Sequence, residues 1–263
     1  MLFSDNGRMT RQSEANRTAW EDHAYEWWLQ YNGPPTEAAA RMAADPSQSL
    51  QKFSPFLGDL EGKRVVNPLG SNGRKAVPMC LLGAEVTVVD FSRANARYAR
   101  ELADAAGVRL SYEVADFLDW HCESDEAGFD LAFFEGGILH YFDNLDLFFA
   151  RIRECLAPSG RLVASDFHPF RKCVDANILP SADYFDTDLH AGPVAYASQI
   201  TGVDPADLDD CLLRYWTLGE IITAVARAGF RIEEMAELPR PDNPAVPGEF
   251  VIVAVAASIG LSA

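Results

Sequence analysis

The stretch VVNPLGSNGRKAVPMCLLGAEVTVVDFS, residues 65–92, constrains the fold more than any other part of the chain. An apolar run breaks at Asn67-Pro68-Leu69-Gly70-Ser71-Asn72-Gly73, passes through a short helical pattern, and resumes as a second apolar run that ends on one carboxylate, Asp90. Strand, glycine-bearing turn, helix and strand make a β-α-β unit, which builds parallel sheets because parallel neighbours need a crossover rather than a hairpin. The rhythm continues, with strands expected at 63–67, 85–90, 108–114, 129–135 and 160–166 and helices at 73–82, 92–106 and 143–156. TLGEIITAVARAGF follows as a helix with Thr217 and Glu220 in capping-box spacing, and two more strands are expected near 230–237 and 249–256. The fold class is therefore α/β: a Rossmann-like, doubly wound, seven-stranded and mostly parallel sheet with helices on both faces.

Residues 10–30 read as one helix with Trp20, Ala24, Trp27 and Trp28 along a stripe, stopped by Asn32-Gly33-Pro34-Pro35. Two short helices are expected over 35–60. Residues 1–60 thus form an N-terminal helical cap, 61–257 the core, and 258–263 a tail. Residues 168–215, rich in Pro, Asp and aromatics, interrupt the alternation; an irregular insertion after a strand's carboxyl end reads as a lid or binding loop.

With 22 Lys and Arg against 39 Asp and Glu, the formal charge is -17, which argues against a nucleic acid partner, since that affinity comes largely from cations neutralising phosphates. The five cysteines, Cys80, Cys122, Cys155, Cys173 and Cys211, are too dispersed for a metal knuckle or a disulfide framework, and a reducing cytoplasm fits them. The longest apolar run, 250–257, is strand length against the roughly 20 residues a membrane helix needs. No metal, membrane or nucleic acid is expected; a homodimer stays open.

In open parallel sheets the ligand sits beyond the carboxyl ends of the strands, where strand order reverses, so the turn after the first strand is the place to look. A dinucleotide would call for G-x-G-x-x-G there. Only Gly70 and Gly73 are present, and the chain is acidic, so a pyrophosphate is a poor fit. S-adenosylmethionine carries no phosphate. It needs a close backbone turn, a carboxylate for two ribose hydroxyls, an acceptor near the adenine amine, and apolar walls. Leu69, Gly70, Ser71, Asn72 and Gly73 supply the turn. Asp90 lies about twenty residues on, the offset of a ribose-binding acid, followed by Phe91 and Ser92. Asp116 and Phe117 follow the third strand, and Glu135 and Gly136 the fourth.

On the residues AWEDHAYEWW, GSNGRKA, DFHP and WTLGEI, the chain resembles small bacterial class I S-adenosylmethionine-dependent methyltransferases over roughly residues 63–257. The family's first strand ends in an acid followed by glycines at alternate positions. Here Asn67, Leu69 and Ser71 hold those places, and only Gly73 agrees. The resemblance implies methyl transfer to an oxygen or nitrogen of a small metabolite, compact and planar given the aromatic cap. His168, with His140 as the alternative, is the expected general base. Tyr25, Trp28, Gly137, Tyr141, Tyr184, Arg214 and Trp216 are the expected acceptor contacts. Two other readings share much of this pattern: a non-catalytic S-adenosylmethionine-binding scaffold, and a nicotinamide oxidoreductase, against which the missing third glycine counts.

Overall fold

A computed structural model describes residues 10–122, 128–175, 178 and 181–257; the tail expected at 258–263 and part of the insertion lie outside them. In chain order the elements are α1 (Arg11–Glu21), α2 (Ala24–Asn32), α3 (Pro35–Ala44), α4 (Ser54–Leu57), β1 (Arg64–Pro68), α5 (Ala76–Leu81), β2 (Glu85–Asp90), α6 (Arg93–Ala106), β3 (Ser111–Val114), β4 (Phe129–Glu135), α7 (Leu145–Cys155), β5 (Leu156–Phe167), α8 (Arg171–Val174), β6 (Leu189–Pro193), β7 (Asp210–Arg214), α9 (Leu218–Arg227), β8 (Phe230–Pro239) and β9 (Pro247–Ala256). Among the described residues no helix is long and apolar enough to cross a membrane.

Seven strands form one sheet in the order β3-β2-β1-β4-β5-β9-β8, parallel from β3 to β5 and antiparallel at β9. The continuous apolar runs follow from this architecture, because side chains alternate across a sheet that is covered on both faces. Val66, Ala132, Phe134, Leu162 and Ile252 pack one face against α7 and α9. Val65, Leu131, Phe133, Val163 and Val253 pack the other, with Ala76, Met79, Ala96 and Ala99 of α5 and α6. Helix ends are set locally. Ser92 caps α6 by accepting from the Asn95 N–H, Gly107 ends it in left-handed backbone, and the Thr217–Glu220 capping box starts α9.

Two expectations are corrected. The helix expected over 10–30 breaks at His23, which adopts φ 55°, and α2 begins after it at Ala24. The insertion is not irregular throughout: β6 and β7 form an antiparallel hairpin. Gln12 and Asn16 of α1 donate to the Leu212 carbonyl at 2.9 and 3.1 Å, and the Leu212 N–H donates back to Asn16 at 2.7 Å. A third apolar cluster joins Ala19, Trp27 and Trp28 to Val194, Tyr196 and Cys211. Cap and insertion therefore form one roof over the carboxyl ends of the strands.

Candidate active site

Strand order reverses between β1 and β4, and a cavity of about 350 Å³ opens there, within the usual size of small-molecule sites. Its floor is the β1 turn. Leu69 and Ser71 adopt φ 48° and 52°, left-handed backbone that costs a residue with a side chain roughly 1–2 kcal/mol, and Gly73 follows at φ 77°. These are the alternate positions that carry glycine in the methyltransferases the sequence resembles, so the glycine-type backbone is present here at two residues that have side chains. It is held from both sides: the Ser71 N–H donates to Asp90 Oδ2 at 3.1 Å, and the Tyr112 hydroxyl donates to the Ser71 carbonyl at 2.8 Å. Gly70 is required sterically, because a Cβ there would lie 2.4 Å from Asn67 Oδ1 and 2.9 Å from a Val88 methyl.

Asp90, at the end of β2, is buried, and its Oδ1 also accepts from the Ser92 N–H at 2.9 Å and Asn95 Nδ2 at 3.4 Å. Burial raises its pKa, while these donors pull it back down. Trp28 Nε1 donates to Asn95 Oδ1 at 2.7 Å, which joins the roof to this corner. Asn67 donates to the Phe133 carbonyl, but its Oδ1 is buried without a partner among the described residues, as is Ser71 Oγ. Across the cavity Arg74 pairs with Glu135 at 2.5 Å, and Lys75, its pKa lowered by burial, donates to the Ser49 carbonyl at 2.5 Å.

The far wall comes from the turn after β4. Gly136 and Gly137 adopt φ 75° and 80° and lead to His140 and Tyr141, both lining the cavity. Burial lowers the His140 pKa, which leaves its imidazole a free base near neutrality, and pushes Tyr141 well up. Trp20, Trp27, Trp28, Tyr31 and Tyr196 supply the roof, with Gln199 beside them. Trp20 and Trp28 stack at 6.5 Å, and Trp27 and Tyr196 at 6.2 Å.

Of the residues expected from sequence, Leu69, Gly70, Ser71, Asp90, Phe91, Glu135, Gly136, Gly137, His140, Tyr141 and Trp28 meet at this cavity. The others do not line it. Ser92 caps α6, Gly73 packs with an ideal Cβ 3.0 Å from that of Ala99, and Asn72 is buried behind the turn. Asp116 is covered by α1: the Ser13 hydroxyl donates to its Oδ2, and Leu118 N–H to Oδ1 at 2.9 Å, while Phe117 belongs to the core. Tyr25 points along α6, its hydroxyl on Glu101 at 2.6 Å and its ring under Arg97. Tyr184 accepts the Leu218 N–H at the start of α9.

Arg214 stacks on Trp216 with its guanidinium 3.3 Å from the ring centre and pairs with Glu220, and Trp216 Nε1 donates to the Leu139 and Phe142 carbonyls. These contacts tie the insertion to α9 and to the turn after β4. His168 is buried beside β8, its Nδ1 accepting from the Phe170 N–H at 3.1 Å and its Nε2 2.8 Å from Glu237. Burial lowers its pKa, against the pull of Glu237. It has no face on the cavity, so of the two expected bases only His140 is in reach.

Sequence reading missed Trp20, Trp27, Tyr31, Asn67, Arg74, Lys75, Tyr196 and Gln199 as site residues. The GSNGRKA motif held a signal for two of them, since Arg74 and Lys75 directly follow the turn.

Residues 70–160 match the family model of the methyltransferase domain. An S-adenosylmethionine-dependent methyltransferase from Mesorhizobium loti shares the fold at a TM-score of 0.58 and 22% identity, covering 79% of this chain and 97% of its own. Magnesium protoporphyrin IX methyltransferase from Synechocystis, with bound S-adenosylmethionine, gives 0.60 and 14%, covering 96% and 100%. Burkholderia thailandensis 1,6-didemethyltoxoflavin-N1-methyltransferase, with its namesake ligand and S-adenosylhomocysteine bound, gives 0.59 and 18%, covering 97% and 93%. No curated protein sequence matches the chain.

Proposed function

We propose that this chain, whose core is a class I S-adenosylmethionine-dependent methyltransferase domain, moves a methyl group to an oxygen or nitrogen of a flat small molecule held under the aromatic roof. The observation that carries the reading is a cavity rimmed by Asp90 in which two lining residues of β1 and its turn, Asn67 and Ser71, each keep a buried polar atom, Oδ1 and Oγ, with no partner among the described residues. Leaving such atoms unpaired costs about 1–3 kcal/mol each, a cost that a ligand carrying an ammonium and hydroxyls removes.

In this reading Asp90 takes a ribose hydroxyl with the lone pair its three donors leave over. Asn67 Oδ1 and Glu135 receive the ammonium, and Arg74 and Lys75 hold the carboxylate. The bound sulfonium supplies an electrophilic methyl and a neutral thioether leaving group. The chain's own contribution is positioning. Trp20, Trp27, Trp28 and Tyr196 exclude water and press the acceptor flat, and holding nucleophile, methyl and sulfur in line is worth up to roughly 7–11 kcal/mol. His140 takes the acceptor's proton as the methyl arrives, a factor of about 10²–10⁴. Tyr141, kept protonated by burial, donates a hydrogen bond at the same wall.

The test is calorimetric titration with S-adenosylhomocysteine, followed by mass analysis of S-adenosylmethionine reactions with planar phenols and nitrogen heterocycles. Micromolar binding and a product heavier by one methylene are expected. Absence of binding by the folded protein refutes the reading.

A further inference from the structure

Asp166, near the end of β5, is 3% exposed, yet no cation is paired with it among the described residues. Four backbone N–H groups point at its carboxylate instead: Gly137 on Oδ1 at 2.9 Å, Ile138 and Leu139 on Oδ2 at 2.9 and 2.7 Å, and its own neighbour Phe167 on Oδ1 at 2.6 Å. Three of these belong to the turn that carries His140 and Tyr141 into the cavity. A buried carboxylate that takes its hydrogen bonds from backbone N–H groups fixes that turn, because charge-assisted bonds are shorter and stronger than neutral ones.

The His140 ring lies close against the same turn. A Cβ on Gly137 would stand 3.2 Å from His140 Cε1 and 2.9 Å from the Phe167 ring, so the glycine whose N–H holds the carboxylate lies against the imidazole with no room for a side chain. Around His140 stand also Tyr141, with ring centres 4.3 Å apart, and Tyr215 at 6.5 Å, while the charge of Arg171 from α8 opposes that of Asp166. Arg74 and Glu135, across the cavity, neutralise each other.

We infer that Asp166 is the positioning residue of this centre, holding the Gly137–Leu139 turn so that His140 faces the acceptor, and that the site is built for an acceptor that surrenders a proton from oxygen or nitrogen. The inference rests on the methyltransferase reading above. The step balances without a further reagent. The acceptor's lone pair forms the new bond to the methyl carbon, the carbon–sulfur bond breaks with its pair returning to sulfur, and the acceptor proton passes to a His140 nitrogen. A tertiary amine acceptor would need neither His140 nor the carboxylate behind it.

The test compares the wild-type protein with Asp166→Asn and His140→Gln, all saturated with S-adenosylhomocysteine, by NMR titration of carbon-13-labelled histidine. His140→Gln assigns the His140 resonance. The negative carboxylate favours the imidazolium, so its neutralisation should move the His140 midpoint down by at least half a pH unit while the S-adenosylhomocysteine Kd stays within about threefold. With any phenol or heterocycle that the wild type methylates, the acid limb of kcat should move down by the same amount, and His140→Gln should lose that limb. A His140 midpoint that does not move overturns the inference. A wild-type protein that fails to bind S-adenosylhomocysteine overturns instead the reading on which it rests. If Asp166→Asn does not fold, Gly137→Ala keeps the carboxylate but strikes the ring. A His140 resonance unchanged in shift and midpoint in that variant overturns the inference equally.

Discussion

Replacing Asp90 separates its observed hydrogen bonds to the β1 turn and α6 from the ribose contact proposed for it. Asp90→Ala removes the acceptor of the Ser71 N–H at 3.1 Å and of the Ser92 N–H at 2.9 Å. Each orphaned, buried N–H costs about 1–3 kcal/mol, so the pair should cost roughly 2–6 kcal/mol of stability. At about 2–4 °C per kcal/mol for a chain of this size, Tm falls by at least about 4 °C. The ribose hydroxyl loses a charged acceptor as well, worth about 1.5–3 kcal/mol of affinity, which converts to a roughly 10- to 150-fold weaker Kd for S-adenosylhomocysteine. Asp90→Asn keeps one oxygen but turns an amide NH2 toward one of the N–H groups, so it should sit between wild type and alanine on both scales. Calorimetric titration, at a temperature where denaturant melts show each variant folded, gives the affinities, and the melts themselves give the stabilities. If Asp90→Ala loses stability but binds S-adenosylhomocysteine within twofold of wild type, the carboxylate serves only the turn and the α6 cap, and the ribose assignment is wrong.

Gly70→Ala drives a methyl into Asn67 Oδ1 at 2.4 Å, so cofactor binding should fall at least tenfold in the same titration; an unchanged Kd would mean that the turn does not form the cofactor floor. Burial lowers the pKa of both His140 and His168 below the usual 6.5, so the unfolded chain binds more protons there than the folded one. That stability contribution is fully present above about pH 6.5 and is lost as pH falls through the lower folded values, so the urea midpoint should drop between pH 7.5 and 5.5. His168→Gln should flatten part of that drop, and an unchanged slope would show that His168 titrates normally.

The sheet was legible because its causes are local: apolar runs of strand length, a capping box at Thr217–Glu220, and glycines where the first turn demands close approach. Asp90 was legible for the same reason, since its offset from the turn is a property of one β-α-β unit. What escaped was set by partners far along the chain. His168 is drawn off the crevice by β8, where Glu237 waits, and Asp116 is covered by Ser13, 103 residues away. Nothing in the sequence singles out Asp166, because the three N–H groups on its carboxylate come from a loop 27 to 29 residues upstream. The break at His23 left no mark in the apolar stripe, which runs on through both helices.

The two halves of the roof are stitched together through Leu212 and through the Tyr196 hydroxyl, which donates to the Ala19 carbonyl at 2.9 Å, while Gln30 exchanges hydrogen bonds with Thr201. Neither α1 nor the β6–β7 hairpin can lift without breaking the bonds that hold the other. The roof is therefore one cross-linked unit, although its two segments lie nearly 200 residues apart in the chain. Amide exchange in α1 and in the hairpin should report one shared opening free energy.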